Sequence, residues 1–397
     1  AHNDEGGNFK PLPFTYTGAG KGTRVNKEGL IEVVENDRPR IDYLDSEDGV
    51  FLLEKAATNL VPYSNDFENS AWNKDNITVE NNASISPDGT LNACEITSTA
   101  SSSTIYGVVL LDVVSSLAPN IKTNSWFVKS NGQRWVYICP PDGSYDVVYF
   151  DLENGIVGTG VGTSTGKIEP YPNGWYRISI LKPTSPGYSY VGIGFCDGDD
   201  TSIYTQSSDT IFVYGSQSEI GNVASSYIPT QGTIQTRVQE TASGSGNSEV
   251  FNDSEGVLFA NIAANADDSS IKAISVNNGT DDERVMFYYS SNIISFNVSN
   301  SGISQLSYDY NYSDVKIPSK VLIKYKVNNF SVFVNGFEVY TDLVGSVPSG
   351  LDNLSFDKGD GTLDFYGKTK EIGYYDEVLT DLELETLTSY RTWEAMV

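Results

Sequence analysis

The stretch TNLVPYSNDFENSAW, residues 58–72, marks the point at which the pattern of the chain changes. Before it, residues 1–57 contain Pro11, Pro13 and the run GAGKG, with short apolar pieces only at 30–34 and 50–53. A segment this poor in apolar residues cannot build a core of its own. We therefore predict an extended N-terminal arm over residues 1–57, with one or two strands that pack on the next domain or on a neighbouring subunit.

After this point, residues 58–240 have the pattern of short strands separated by turn residues. Asn131-Gly132, Asn154-Gly155 and Asn173-Gly174 can each supply the positive φ angles that a tight reversal needs. This spacing indicates a β-sandwich of the jelly-roll kind. The predicted strands lie at 77–80, 94–97, 105–111, 125–129, 134–139, 147–152, 175–181, 190–195 and 211–217.

The Gly/Ser-rich run TASGSGNS predicts a linker over residues 241–249, followed by a second β-sandwich over residues 250–397. Near its end, TDLE at 380–383 fits a capping box and predicts one short helix at 381–389. The predicted fold class is thus all-β, with two sandwiches behind an arm and one C-terminal helix. The strands of the second sandwich are predicted at 257–263, 271–277, 284–289, 293–298, 321–327, 331–334, 337–340, 351–356 and 369–375.

Composition and charge exclude several classes of protein. The chain of 397 residues has 52 acidic and 25 basic residues, for a net charge of −27. Such a charge repels phosphate backbones and anionic lipid, and no apolar run is long enough to span a bilayer, so we expect neither nucleic-acid binding nor membrane insertion. His2 is the only histidine. A catalytic triad, a His-ligated zinc site and a histidine general base are therefore excluded from the body of the chain.

The three cysteines, Cys94, Cys139 and Cys196, lie far apart in the sequence. Their odd number argues against a disulfide framework. We predict buried free thiols.

Candidate carbohydrate-binding residues come from the aromatic pattern. Sugar rings stack their apolar C–H faces on aromatic side chains, while their hydroxyl groups bond to planar polar groups. In SYDYNYSD, Tyr308, Tyr310 and Tyr312 would lie on one face of an extended strand, with Asp309 and Asn311 on the other. The alternative is that the tyrosines fill the sandwich core or a subunit interface.

A second aromatic group surrounds a turn at 140–143 and includes Trp135, Tyr137 and Tyr145 as further carbohydrate-binding candidates. Some members of this group must belong to the core of a sandwich. Trp126 and Trp175 lie between apolar residues, and we assign both to packing.

Two acidic clusters suggest calcium, which takes oxygen ligands from closely spaced carboxylates and carbonyls. One cluster comprises Asp197, Asp199 and Asp200 in CDGDD, and the other Asp357 and Asp360 in DKGDG. Neither has EF-hand spacing, and Asp and Gly are also ordinary turn residues. Calcium is the one cofactor that the sequence suggests, and the sequence requires none.

Several stretches resemble a module of tail and head fibre proteins of bacteriophages, especially those that infect Bacteroidetes. They are GTRVNKEGLIEVVENDRPRIDY (22–43), FLLEKAATNLVPYSNDF (51–67), SPDGTLNA (86–93), NGWYRISI (173–180) and IFVYGSQSEIGNVASSYIPTQGTIQTRVQE (211–240). The last departs mildly from the pattern of the module at Ser216 and Ser218. Residues 330–340 and 365–389, FSVFVNGFEVY and FYGKTKEIGYYDEVLTDLELETLTS, resemble a concanavalin A-like or laminin-G-like domain.

The fibre resemblance implies a subunit at the virion surface, assembled in the host cytoplasm. It implies a homotrimer that contacts other virion proteins and binds host surface polysaccharide or other glycans for adsorption. The sequence contains no recognisable catalytic motif, so we predict a non-enzymatic protein. Three alternatives stay open: a polysaccharide depolymerase with an unrecognised carboxylate pair, a purely structural capsid decoration protein, and a free carbohydrate-binding protein.

Overall fold

A computed structural model describes residues 2–3, 9–10, 14–18, 20–99, 104–105, 108–112, 120–139, 147–185, 190–201, 203–204 and 209–389. Throughout these residues the chain is built from strands, with one short 3-10 turn at Pro172–Gly174 and one α-helix at Asp381–Thr388. The predicted all-β fold class is confirmed. None of the helical segments in the described ranges is long and apolar enough to cross a membrane.

The first sandwich consists of two antiparallel six-stranded sheets, which we call sheet 1 and sheet 2. The strands of sheet 1 follow one another in space as Ile77–Ile85, Leu91–Ser98, Thr210–Ile220, Asn120–Asn131, Trp175–Ser185 and Thr165–Tyr171. Those of sheet 2 are Ile156–Gly160, Val148–Asp151, Trp135–Cys139, Tyr190–Cys196, Val108–Asp112 and Trp72–Asp75. A two-stranded ribbon of Thr104–Ile105 and Ile203–Tyr204 accompanies them.

Side chains from both sheets meet in one apolar core, because alternate residues of a strand point to the same face. Trp126 lies in this core with its ring 5.3 Å from that of Phe67. The assignment of Trp126 and Trp175 to packing is confirmed, since both are buried. Cys94 and Cys196 are buried free thiols, as predicted, and burial raises the pKa of the Cys94 thiol to about 12. The side chain of Cys139 lies outside the described part of the structure, so its prediction stays open.

The second sandwich pairs a five-stranded sheet 3 with a nine-stranded sheet 4. The strands of sheet 3 are Ile303–Asn311, Ile293–Asn300, Arg284–Ser290, Lys272–Asn277 and Asn353–Ser355. The main path of sheet 4 is Phe9–Lys10, His2–Asn3, Gly367–Tyr375, Glu255–Ala264, Ser319–Lys326, Phe330–Val334 and Phe337–Asp342. Val50–Leu53 also pairs with Gly367–Tyr375, and Arg40–Asp42 pairs with Val50–Leu53.

Local sequence signals explain two features of the second sandwich. Asn335 and Gly336 both adopt positive φ, at 50° and 88°, and close the hairpin between the last two strands of sheet 4. Thr380 and Glu383 form the predicted capping box at the start of the helix. The helix covers the outer face of sheet 4 with Leu384, which packs on Val257, Phe259, Leu322 and Phe333.

The arm residues contact both sandwiches. The hairpin of Thr23–Val25 and Ile31–Val33 places apolar side chains on the outer face of sheet 1, where Trp175 lies. Val50–Leu53 instead adds a strand to sheet 4. Ala57–Asn59 pairs with Gln235–Arg237. The arm is therefore part of the same packed structure as the two sandwiches.

The Gly/Ser-rich stretch has regular partners. Thr241–Ser243 pairs with Thr15–Thr17. Ser245 and Leu354 exchange backbone hydrogen bonds, with N···O distances of 3.2 and 2.7 Å. The division of the chain at residues 57, 240 and 249 stays a prediction.

A buried ionic cluster joins the arm to the end of the first sandwich. The Arg40 Nη2 lies 2.8 Å from the Glu54 Oε2, and the Arg40 Nε donates to the Glu240 Oε1 at 2.6 Å. The Arg237 Nη1 lies 3.0 Å from the same Glu54 oxygen. Burial alone would raise the pKa of Glu54, but the guanidinium groups of Arg237 and Arg40 outweigh it and hold this pKa well below its usual range.

Candidate functional site

The three tyrosines of SYDYNYSD share one face of their strand, as the alternation predicts. Tyr308, Tyr310 and Tyr312 are half-buried, whereas Asp309 and Asn311 between them are exposed. The tyrosine face is turned toward the sandwich interior, where all three rings pack against the edge of the core. They therefore combine the two interpretations that the sequence allowed, since each ring is part core and part surface.

Two edge strands meet at this side of the second sandwich. Ile303–Asn311 is the last strand of sheet 3, and Phe337–Asp342 is the last strand of sheet 4. The rings of Tyr308 and Tyr340 stack across the gap, with centroids 4.5 Å apart and planes 12° from parallel. Aromatic stacking thus joins the two sheets at their open side.

Phe337 lies on the same edge strand as Tyr340 and carries an exposed ring. Its cross-strand partner is Val334, which belongs to the interior of the sandwich, so the Phe337 side chain lies on the interior face of the edge strand. The ring is nevertheless 68% exposed. We define the aromatic strip as Tyr308, Tyr310, Tyr312, Phe337 and Tyr340.

Polar groups border the aromatic strip. The Tyr312 hydroxyl donates to the Pro318 carbonyl and accepts from the Asn335 Nδ2, both at 3.3 Å. Burial raises the pKa of this hydroxyl, so it stays protonated at neutral pH. The Tyr312 hydroxyl and the Asn335 amide therefore lie beside the apolar faces of the strip, whereas the exposed Asp309 and Asn311 project from the opposite face of the tyrosine strand.

The described members of the second predicted aromatic group do not form a shared exposed surface. Tyr137 is only 1% exposed and packs with Tyr149, their ring centroids 6.2 Å apart. Its ring is therefore part of the core and is closed to a surface ligand. Trp135 is half-buried, with the Arg134 guanidinium 5.9 Å from its ring centroid. Tyr145 lies outside the described residues.

The first acidic cluster forms a turn beside an edge strand of sheet 2. The Asp199 Oδ1 accepts from the Thr159 backbone N–H at 2.6 Å, and its Oδ2 accepts from the Thr159 hydroxyl at 3.0 Å. Asp197 and Asp200 lie in the same turn, where Asp200 has a φ of 54°. The Asp199 carboxylate thus serves as an acceptor for the neighbouring strand.

The second acidic cluster also bonds to its own turn. The Asp357 Oδ1 accepts from the Ser355 hydroxyl at 2.9 Å, and Asp360 accepts from the backbone N–H of Thr362 at 3.1 Å. Lys358 lies 3.0 Å from the Asp360 Oδ2. Among the described residues, no three acidic, histidine or cysteine side chains are grouped as a metal site would require. Calcium binding at either cluster stays a prediction.

Sequence reasoning missed a cleft of about 490 Å³ where the arm meets both sandwiches. Its lining residues run from Asp42 to Lys368 in the sequence, so no local motif indicates the cleft. Three buried carboxyl groups line it, Asp42, Glu54 and Glu219. Burial raises the pKa of Asp42 and of Glu219, whereas the guanidinium groups of Arg237 and Arg40 hold the pKa of Glu54 below its usual range. The lining comes from residues 42–57, 167–177, 219–226, 237, 264–272, 316 and 366–368.

Comparison with known proteins yields structural neighbours alone. No protein-family model and no curated protein matches the sequence. One similar solved structure is the Ruminococcus gnavus IT-sialidase CBM40 bound to α2,3-sialyllactose, at 18% identity and a TM-score of 0.32, covering 37% of this chain and 94% of that one.

Two further structures are similar. Sheep galectin-11 in complex with glycerol has 13% identity and a TM-score of 0.23, covering 30% of this chain and 89% of its own. Domains LG4-5 of the mouse laminin α1 chain have 8% identity and a TM-score of 0.25, covering 84% and 90%. At these TM-scores the likenesses carry no argument about this chain.

Proposed function

We propose that the protein is a non-enzymatic carbohydrate-binding protein whose second sandwich contacts sugar through the aromatic strip. The observation that carries this proposal is the row of aromatic rings between two edge strands, with Phe337 largely exposed. The stacked Tyr308 and Tyr340 fix the row in place, so little side-chain freedom is lost when a sugar ring docks on it. The Tyr312 hydroxyl and the Asn335 amide at the border of the strip supply polar partners for sugar hydroxyl groups.

We further propose that the protein acts as a fibre or spike subunit at the surface of a bacteriophage, where it binds a host glycan. This part rests on the sequence resemblance of residues 22–93 and 173–240 to fibre modules. A net charge of −27 favours it, because like charge keeps densely displayed copies soluble. In a homotrimer, linked copies would make weak single-site binding effective, since later contacts become intramolecular.

A glycan array tests the carbohydrate-binding proposal. We expect a signal with the unmodified protein that falls by about tenfold or more in Phe337→Ala and in Tyr310→Ala, because an aromatic stacking contact is lost. Leu382→Ala is the matched control, since Leu382 is an exposed apolar residue on the helix that covers the outer face of sheet 4. It should bind as the unmodified protein does.

Two outcomes would overturn the proposal. An array without any signal above background would leave a purely structural decoration protein as the better reading. Release of reducing sugar from a bound polysaccharide by the purified protein would show a depolymerase in place of a non-enzymatic binder.

A further inference from the structure

We propose that the cleft between the arm and the two sandwiches is a second binding site, which takes a saccharide bearing a carboxylate or sulfate group. The cleft is distinct from the aromatic strip, which lies between the edge strands of sheets 3 and 4. Its volume of about 490 Å³ lies within the range of small-molecule sites. That the anion is carried by a sugar rests on the proposed function.

The charge around the cleft differs from that of the rest of the protein. Acidic residues outnumber basic ones about twofold in the whole chain, 52 to 25. Of these, six acidic and seven basic residues line the cleft. A local group of cations in a concave surface attracts an anion that the remaining surface repels. The basic lining residues are Lys55, Lys167, Arg177, Arg237, Lys272, Lys316 and Lys368.

Several of these cations can exchange their present partners for a ligand. Lys55 pairs with Asp268 at 2.6 Å, Lys167 with Glu169 at 2.6 Å, and Lys316 with Asp314 at 3.4 Å. All three lysines are substantially exposed, and ion pairs of this kind contribute little to stability. A ligand carboxylate or sulfate can therefore replace one partner at small cost to the fold.

An unpartnered buried donor points to the same kind of ligand. Arg177 lines the cleft and is only 4% exposed. Its Nη2 donates to the Ser125 hydroxyl at 3.0 Å, but its Nε has no hydrogen-bond acceptor among the residues that the structure describes. A buried donor without an acceptor is unfavourable, and an oxygen of a bound anion would supply one.

Backbone donors and aromatic rings complete the lining. The backbone N–H groups of Asn222, Val223 and Ala224, all in the cleft wall, donate to no protein acceptor in the described part of the chain. Tyr171 and Tyr366 also line the cleft and are half-buried. Donors for an anionic group and rings for a sugar face are thus present together.

Calorimetric titration of the full chain tests this inference. The probes are glucuronate, trigalacturonate and, as a neutral control, maltotriose. We expect an acidic sugar to bind and its affinity to fall about tenfold between about 50 and 500 mM sodium chloride, because screening weakens charge attraction. We expect no binding of maltotriose in the cleft.

Two lysine variants distinguish a specific binding site from non-specific electrostatic attraction. Lys55→Gln should weaken binding of the acidic sugar about fivefold or more. Lys326→Gln should leave it unchanged, although Lys326 has nearly the same side-chain exposure, 46% against 45%, and the same 2.6 Å pairing with a carboxylate. Lys326 does not line the cleft. Equal loss in both variants would show non-specific attraction and would overturn the inference.

The remaining outcomes identify the size of the ligand and test whether the cleft and the aromatic strip bind independently. Tighter binding of trigalacturonate than of glucuronate would identify an internal segment of a polysaccharide as ligand, and equal binding would identify a single acidic sugar. Retention of acidic-sugar binding in Phe337→Ala would show that the cleft acts independently of the aromatic strip. If neither acidic probe binds while the aromatic strip still gives a signal on the glycan array, the cleft proposal is wrong and the proposed function stands.

Discussion

At Glu54, two guanidinium groups converge on one carboxylate. The Glu54 Oε2 contacts Arg40 and Arg237, and Ser226 donates to both carboxylate oxygens through its backbone N–H and its hydroxyl. These side chains are removed from water, so each depends on the others for its hydrogen bonds. Loss of one charge leaves an uncompensated charge in the protein interior.

We therefore predict that Glu54→Gln lowers the free energy of unfolding by about 3–5 kcal/mol, as expected when one partner of a buried ion pair is removed. Urea unfolding at pH 7 measures the change. Glu153→Gln is the control, because Glu153 pairs with Arg134 on the surface and is 66% exposed. Its effect should stay below about 1 kcal/mol. Equal small effects in both variants would contradict the prediction.

The lowered pKa of Glu54 also predicts a pH dependence. Burial opposes ionisation of this carboxyl, but Arg237 and Arg40 favour it more strongly, so its folded-state pKa lies below the ordinary value of 4.5. Its contribution to stability is therefore fully present above pH 4.5 and is lost as pH falls through the folded-state pKa. Unfolding measured from pH 7 downward should show a steeper loss in the unmodified protein than in Glu54→Gln. Parallel curves for the two proteins would show that ionisation of Glu54 does not cause the loss of stability at low pH.

At the scale of single elements, the C-terminal helix packs on sheet 4 through Leu384, with the partly buried Leu379 and Leu387 beside it. Leu384 is fully buried on sheet 4, whereas Leu382 is 73% exposed. We predict that Leu384→Ala lowers the free energy of unfolding by about 2–5 kcal/mol, because a buried cavity is left. Leu382→Ala should change it by less than about 0.5 kcal/mol. Thermal and urea unfolding of the two variants, side by side, measure the difference; a similar cost for both would mean that the helix is not docked as described.

Elements with their own alternation could be predicted from the sequence. The strand predicted at 284–289 is Arg284–Ser290, and the helix predicted at 381–389 is Asp381–Thr388. The prediction missed Ile156–Gly160 and Thr165–Tyr171, which contain glycine and, in the second, proline. Both are edge strands with few buried residues, so pairing with a neighbour holds them extended, and their own sequences carry little strand signal.

The two candidate sites also differ in how far the sequence predicts them. Alternation in the sequence placed Tyr308, Tyr310 and Tyr312 on one face, because side chains repeat every second residue. It could not say that this face is turned toward the core, since that depends on the facing strand and on Tyr340. The cleft was not predictable, because Lys55, Arg177 and Lys316 come together only through the packing of distant segments.

At the scale of the whole molecule, the arm is bound to both sandwiches. Residues 1–57 supply Val50–Leu53 to sheet 4, and they supply Arg40 and Glu54 to the buried ionic cluster. Removal of the arm would therefore damage the fold as well as any contact between subunits. The oligomeric state is for this reason best measured on the full chain.

We predict a homotrimer, as the fibre resemblance implies. Light scattering of the purified full chain should then give a mass three times the 43.3 kDa of one chain. Because a trimer held by weak contacts dissociates on dilution, the mass should be followed over a range of concentrations. A monomer at all concentrations would contradict the prediction and would favour a free carbohydrate-binding protein.

The pairing of Val50–Leu53 with Gly367–Tyr375 has a consequence for biosynthesis. The ribosome synthesises Val50–Leu53 long before Gly367–Tyr375. The first strand therefore has no partner while more than three hundred residues are added. During that time its unpaired edge is open to other chains, and contacts this distant form slowly. Production in a heterologous cell should accordingly improve at low temperature or with chaperones that shield nascent chains.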